Sequence, residues 1–293
     1  MTHFKTDSKK AMLTLWLTAT IWGFAFVAQR AGMQYIGPFA YNGIRFALGS
    51  LSLLPLLWIW PKKFASPIVT SHKGLIKGGL LAGLVLFAGA SLQQAGMVWT
   101  TAGKAGFITG LYVILVPIFG YFLGQVISRN TWAGALLAVA GLFLLTINNH
   151  FTIEKGDLLV LLSAFFWATH VQLINRLVTT IDPLPLSALQ FGVCAILSLF
   201  SASLFETIEP ERIFDAAIPL LYGGLMSVGI AYTLQVFAQR HVHPAFASIV
   251  LSFETVFAAI GGWIILHETL SVRALAGCLL MLTGILIVQK KRK

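Results

Sequence analysis

With 293 residues, 57% of them apolar and 10% charged, and a mean hydropathy of +0.84, the chain is excluded from the class of one or two soluble domains and reads as an all-α integral membrane protein. Its net charge of +10 does not point to nucleic acid, because the basic residues collect in short loops and at both ends, where in a membrane chain they report topology. The cysteines, Cys194 and Cys278, sit inside apolar runs and supply neither a disulfide framework nor metal spacing, so no metal and no cofactor is expected.

A helix that crosses a bilayer needs about 20 mostly apolar residues. Eight intervals without Asp, Glu, Lys or Arg fit: 11–29, 78–103, 105–128, 130–153, 158–175, 183–205, 216–239 and 274–289. Two more, 31–61 and 241–267, fit with one ionisable residue each, Arg45 and Glu254. Ten transmembrane helices are therefore expected, joined by short loops. The first follows Lys5, Lys9 and Lys10 as a signal peptide would, but a copy of it later in the chain argues for a permanent helix.

That copy belongs to a repeat. A shift of 145 residues lays Trp22 on Trp167, Pro38 on Pro183 and Phe46 on Phe191; a shift of 142 lays Leu92 and Gln93 on Leu234 and Gln235, and Tyr112 on Glu254. A shift of 143 aligns Ala133 and Gly134 with Ala276 and Gly277. The expected domains are two five-helix units, 11–149 and 155–289. Five is odd, so the second must enter the membrane from the opposite side, giving two inverted repeats around a central cavity.

Loop charge agrees. With the N-terminus inside, the cytoplasmic segments carry Lys5, Lys9, Lys10, Lys62, Lys63, Lys73, Lys77, Arg129, Arg176, Arg240, Lys290, Lys291, Arg292 and Lys293. The outer segments carry Arg30, Lys104, Lys155, Arg212 and Arg273, together with the acidic loop Glu206, Glu209, Glu211 and Asp215. The bias puts both termini in the cytoplasm of a multi-pass protein.

Polar side chains within spans face the bundle interior, since lipid cannot solvate them. In the first span Trp22, Phe26 and Gln29 share a face at i, i+4 and i+7; in its copy Trp167 and His170 do so at i and i+3. Gln93, Met97 and Thr100 align in the third span, and Tyr232, Gln235 and Gln239 in the eighth; the fourth adds Thr109 and Tyr112. The ninth adds Glu254, and an ionised carboxylate at that depth costs roughly 2.5 kcal/mol or more, so a chain that keeps one there has a use for it. Aromatic walls with amides, hydroxyls and one carboxylate suit a small amphipathic solute. The expected binding set is Trp22, Gln29, Gln93, Thr109, Tyr112, Trp167, His170, Tyr232, Gln235 and Glu254, with Glu254 and His170 as candidates for proton coupling.

Plainer readings stand beside these. Trp22 and Trp167 also fit packing or interfacial anchoring, Gln93 and Gln235 fit interhelical hydrogen bonding, and His170 fits a neutral structural imidazole. Glu254 also fits a protonated internal hydrogen bond. Arg45, seven residues after Pro38 and so about 10 Å along its helix, reads first as a structural residue bonding helix ends or carbonyls and second as a substrate contact. Pro117 removes a backbone hydrogen bond within the fourth span and predicts a kink there. Glu268 reads as a cap or loop residue at a span end.

The runs IWGFAFVAQRAG, GPFAYNGIRFALG, TTAGKAGFITGLYVILVPIFG, LLSAFFWATH and SFETVFAAIGGWIILHETLS resemble the ten-helix bacterial permeases of the drug/metabolite transporter superfamily, built from two EamA-type domains. The resemblance covers nearly the whole chain. It implies an inner-membrane exporter of amino acids or related metabolites, with a cavity lined by helices 1, 3, 4, 6, 8 and 9. The family often follows the glutamate of helix 9 with proline; Thr255 stands there instead, which removes the residue that would kink that helix.

The combined reading is a secondary transporter that moves a small organic solute by alternating access, with proton exchange at Glu254 and uncoupled diffusion as the two modes. A multidrug or cation exporter and a non-transporting membrane scaffold are the alternatives. An enzyme is not expected, since His267, Glu268 and Thr269 lack the second histidine of a zinc motif and no GxSxG elbow occurs; a retinal photoreceptor is not expected either, since no span holds a Schiff-base lysine.

Overall fold

Lipid offers the backbone no hydrogen-bond partner, so an apolar chain of this kind must satisfy its N–H and C=O groups within helices. A computed structural model describes residues 2–63, 71–100, 102–146, 154–266 and 272–289, and among these the regular elements are all helical. The first half holds α1 (Thr2–Gly32), α2 (Pro38–Lys63), α3 (His72–Gly96), α4 (Ala102–Gly110), α5 (Tyr112–Phe122) and α6 (Arg129–Thr146). The second holds α7 (Lys155–Leu177), α8 (Pro183–Phe205), the short α9 (Pro210–Asp215), α10 (Ala217–Leu221), a π-helix (Tyr222–Tyr232), α11 (Thr233–Gln239), α12 (Pro244–Leu251), α13 (Glu254–Leu266) and α14 (Val272–Gln289). Glu268, the HETLS segment after Leu266 and the terminal basic run Lys290 to Lys293 lie outside the described residues.

Eight stretches are long and apolar enough to cross a membrane, and they fall on eight of the ten expected spans. The fifth and tenth expected spans fall on α6 and α14, of 18 described residues each. Helix starts follow local chemistry: Asp182 accepts a hydrogen bond from Leu184 N (3.1 Å) with Pro183 in the first turn, and His243 Nδ1 accepts from Ala245 N (3.3 Å) ahead of Pro244. Each proline sits where a missing N–H costs nothing.

Packing pairs come in matched sets across the halves. Helix α2 lies on α8, α6 on α14, α3 on α7, and the π-helix on α1; α4 and α5 pack on α7 as α13 packs on α1. Buried Tyr41, Phe46 and Leu53 mark the inner face of α2, while Leu51, Leu54 and Trp58 are exposed along its other side. Helix α8 repeats this with Phe191 and Cys194 inside and Ile196, Phe200 and Leu204 outside. In a membrane the exposed rows face lipid, so helix association rests on close packing.

Closeness is greatest where α6 crosses α14. A Cβ placed on Gly141 would stand 2.5 Å from Gly277 O, and one on Gly134 would stand 2.7 Å from Gly284 O, so the two run antiparallel with backbones in contact. Helices α2 and α8 are antiparallel as well, Gly43 meeting Leu199 and Gly192 meeting Ser50, whereas Gly79 and Gly83 of α3 meet Leu189 and Val193 of α8 in parallel order.

Two spans are interrupted at equivalent places. In the fourth, α4 ends at Gly110 and α5 begins at Tyr112, with tight i to i+3 bonds Leu111 N to Ile108 O (3.2 Å) and Ile114 N to Leu111 O (3.1 Å). In the ninth, α12 ends at Leu251 and α13 begins at Glu254, with Phe253 N to Val250 O and Thr255 N to Ser252 O, both 3.2 Å. The kink expected at Pro117 thus lies upstream at Leu111, and α5 runs on through the proline. Helix 9 breaks without proline; beside the break Thr255 Oγ1 donates to Gly106 O (3.0 Å) in α4 and ties the two interrupted spans together.

The crossing of α6 and α14 makes a direct prediction. Gly141→Ala should destabilise the protein by about 1–3 kcal/mol through overpacking against backbone, whereas Gly192→Ala, whose Cβ would meet only Ser50 Oγ at 3.4 Å, should leave stability nearly unchanged. Thermal unfolding of the two variants in detergent checks this, and equal midpoints would refute it.

Candidate functional site

The ten side chains expected from sequence all line one central cavity. Trp22 and Gln29 come from α1, Gln93 from α3, Thr109 from α4 and Tyr112 from α5; Trp167 and His170 come from α7, Tyr232 from the π-helix, Gln235 from α11 and Glu254 from α13. Phe26, Arg45, Val171, Ser227 and Leu251 complete the wall. The space is tight, with about 40 Å³ open to the centres of water molecules, room for a few waters.

Gln93 organises one side. Its Oε1 accepts from Trp167 Nε1 (2.8 Å) and Thr109 Oγ1 (3.3 Å), and its Nε2 donates to Gln29 Oε1 (3.3 Å). An amide can take this many partners because it is both donor and acceptor. Its repeat equivalent, Gln235, donates from Nε2 to Gln239 Oε1 (3.0 Å), and its Oε1 has no partner. Trp22, equivalent to Trp167, donates instead to Ser227 O of the π-helix (3.2 Å).

Tyr232 is the hub of the aromatic wall. Its ring centroid lies 4.5 Å from Trp22, 6.0 Å from Phe46, 6.1 Å from Trp167 and 6.0 Å from Phe191, with His170 edge-on at 6.5 Å. Such tilted and edge-to-face pairs are favoured by ring quadrupoles. His170 Nε2 lies 2.8 Å from Gln190 Oε1, so one imidazole nitrogen is already engaged outside the cavity.

Glu254 is the first residue of α13 and is 4% exposed. Its carboxyl faces the Tyr112 hydroxyl, which makes no hydrogen bond, and no cation forms an ion pair with it among the described residues. Tyr112 is likewise the first residue of α5. The repeat therefore puts a carboxyl and a phenol at the starts of equivalent half-helices, the broken-helix arrangement that membrane proteins tolerate only around a cavity.

Two features depart from the leading sequence reading. Arg45 takes the place that reading ranked second: its Nε donates to the side-chain carbonyl Oδ1 of Asn42 (2.9 Å) and its guanidinium reaches the cavity. A charge within a span was the available signal. The π-helix, which brings Ser227 and Tyr232 to the wall, coincides with Gly223, Gly224 and Gly229, a glycine cluster that lets α2 approach closely.

The Gln93 network supplies the second prediction. Gln93→Leu strands the Trp167 N–H, Thr109 and Gln29 together, each at about 1–3 kcal/mol if left unpaired, so its melting point should fall well below that of Gln235→Leu. Equal losses in a detergent melt would mean that Gln93 is no hub.

Comparison with known proteins agrees with this geometry. The model of the EamA-like transporter family matches twice, over residues 9–147 and 154–289. An uncharacterized transporter of Archaeoglobus fulgidus is 31% identical over 95% of this chain and 85% of its own length. The uncharacterized transporter YoaV of Bacillus subtilis is 27% identical over 94% and 95%. A crystal structure superposes with a TM-score of 0.79 over 96% of each chain at 17% identity, a likeness of fold.

Proposed function

The chain belongs to the EamA-like transporter family, and from that premise we propose that it is a secondary transporter that exports a small organic solute, such as an amino acid or related metabolite, by alternating access. It sits in a bacterial inner membrane with both termini in the cytoplasm, and its halves, 11–149 and 155–289, form inverted repeats that rock about the cavity.

The observation that carries this reading is that equivalent residues of the two halves, Trp22 with Trp167, Gln93 with Gln235 and Tyr112 with Glu254, line the same cavity. Helix directions support the inversion: α6 crosses α14 antiparallel, Gly141 over Gly277 and Gly134 over Gly284. So do two ties at corresponding positions, Arg30 Nη1 to Met97 O (2.8 Å) and Asn175 Nδ2 to Gln239 O (3.2 Å). In inverted repeats these ties fall at opposite membrane faces, where they act as the two gates.

Alternation also accounts for the unequal tryptophans. Trp167 holds Gln93, while Trp22 leaves Gln235 Oε1 unpartnered; rocking the halves exchanges the two bonds. Trp22→Phe and Trp167→Phe should therefore shift the labelling of cysteines placed at the two cavity mouths in opposite directions, and parallel shifts would exclude the exchange.

Glu254 is the coupling group in this scheme, binding a proton in one state and releasing it in the other, with His170, on the same cavity wall, as the second candidate. Glu254→Gln should abolish the proton-driven component of solute flux in proteoliposomes. Flux with unchanged rate and pH dependence would remove Glu254 from that role.

A further inference from the structure

Arg45 is the one lysine or arginine buried among the described residues, at 2% exposure. Its Nε donates to Asn42 Oδ1 (2.9 Å), and Asn42 is itself anchored by Nδ2 to Ala90 O (3.0 Å). The guanidinium carbon stands 4.8 Å from the Phe46 ring centroid and 5.7 Å from that of Tyr41. No carboxylate lies within ion-pair distance among the described residues.

Magnitudes show that these contacts are not enough. Withdrawing an unpaired guanidinium from water costs several kcal/mol, while cation–π contact returns about 0.5–2 kcal/mol and one neutral hydrogen bond about 1 kcal/mol. Nor does packing require a charge there: the repeat equivalent of Arg45 is Gln190, a neutral side chain whose Oε1 meets His170 Nε2 at 2.8 Å and whose Nε2 has no partner. An anion is missing from the balance, and the guanidinium faces the cavity.

Glu254 places a carboxyl, opposite in charge to Arg45 when ionised, in the same cavity, buried and with no cation in ion-pair distance among the described residues. The two do not pair with each other. The Tyr232 hydroxyl is within electrostatic reach of both, and the rings of Trp22 and Trp167 flank it. We infer that Arg45 and Glu254 are the two poles of a zwitterion site: Arg45 holds the carboxylate of the solute through its planar fork, Glu254 holds the ammonium, and the rings between them pack its apolar body. The inference rests on the transport reading and names the charge pattern that the transported solute must carry.

Matched probes test it on the purified full-length protein. L-phenylalanine, phenethylamine and 3-phenylpropionate form one series; L-leucine, 3-methylbutylamine and 4-methylpentanoate form another. Titration of tryptophan fluorescence should show the amino acid of at least one series binding about tenfold or more tighter than both singly charged relatives. Arg45→Gln should bring that amino acid down to the level of its amine and leave the amine unchanged. Glu254→Gln should do the mirror image with the acid. Arg45→Lys, which keeps the charge and loses the fork, should retain part of the discrimination and guards against a Gln variant that misfolds. Binding of an amine or acid as tight as that of its amino acid, discrimination that survives Arg45→Gln, or no binding by any of the six probes would overturn the proposal. Flux is read separately in proteoliposomes: charge-selective binding without flux removes the transport reading and leaves the site, whereas flux indifferent to the carboxylate removes the site and leaves transport.

Discussion

In hydrocarbon a polar group has no water to fall back on, so each must find a partner within the protein or open onto a cavity. Most side chains in the spans obey by turning to the nearest carbonyl: Thr20 to Trp16 O, Ser163 to Val160 O, Ser50 across to Ala188 O, Gln172 to Val116 O. These bonds consume polarity locally and glue helices together. The ionisable groups left over are concentrated. The Arg45 guanidinium and the Glu254 carboxyl line the same cavity, together with the unpartnered Tyr112 hydroxyl and Gln235 Oε1, while the other unpartnered buried atoms among the described residues, on Ser91, Gln94, Ser187, Gln190 and Thr233, are neutral and lie outside it.

The same constraint explains what could be read from sequence. Spans are visible because charge-free intervals are long, and the cavity residues are visible because polar side chains at i, i+3, i+4 and i+7 must share an inward face. Trp22, Gln29, Trp167 and His170 were legible on those grounds alone. The breaks were not. Pro117 is the local signal in the fourth span, yet the helix yields at Leu111, and the ninth span yields at Ser252 and Phe253 with no proline at all. The two interrupted spans are tied by a contact 149 residues apart in sequence, Thr255 Oγ1 to Gly106 O, which no local pattern encodes. The cavity-facing place of Arg45 ranked second in the sequence for a related reason: it turns on which groups from other helices fail to reach it.

Close backbone contact is the second resource of the fold. Gly134 and Gly141 on α6, and Gly277 and Gly284 on α14, are spaced by seven residues on each helix, so one face of each is bare for two turns and the pair can lock. This joins the last helix of each half to the other. The cavity is formed elsewhere, by α1, α7 and the interrupted spans, where side chains are large and polar. The close backbone contact and the polar cavity are therefore separated in space, an arrangement that suits the proposed alternating access.

Within this near-symmetric frame the charges are not symmetric. Arg45 in the first half corresponds to Gln190 in the second, and Tyr112 in the first corresponds to Glu254 in the second. Each half thus carries one cavity charge of opposite sign at a position where its counterpart is neutral. The cavity is polarised across the boundary between the halves, positive toward one and negative toward the other. In the proposed cycle, motion of one half against the other would change the separation of those two groups, so a zwitterion bridging them would be coupled to the motion itself. A strictly duplicated cavity would offer like groups to both ends of such a solute, and divergence at these two positions removes that equivalence.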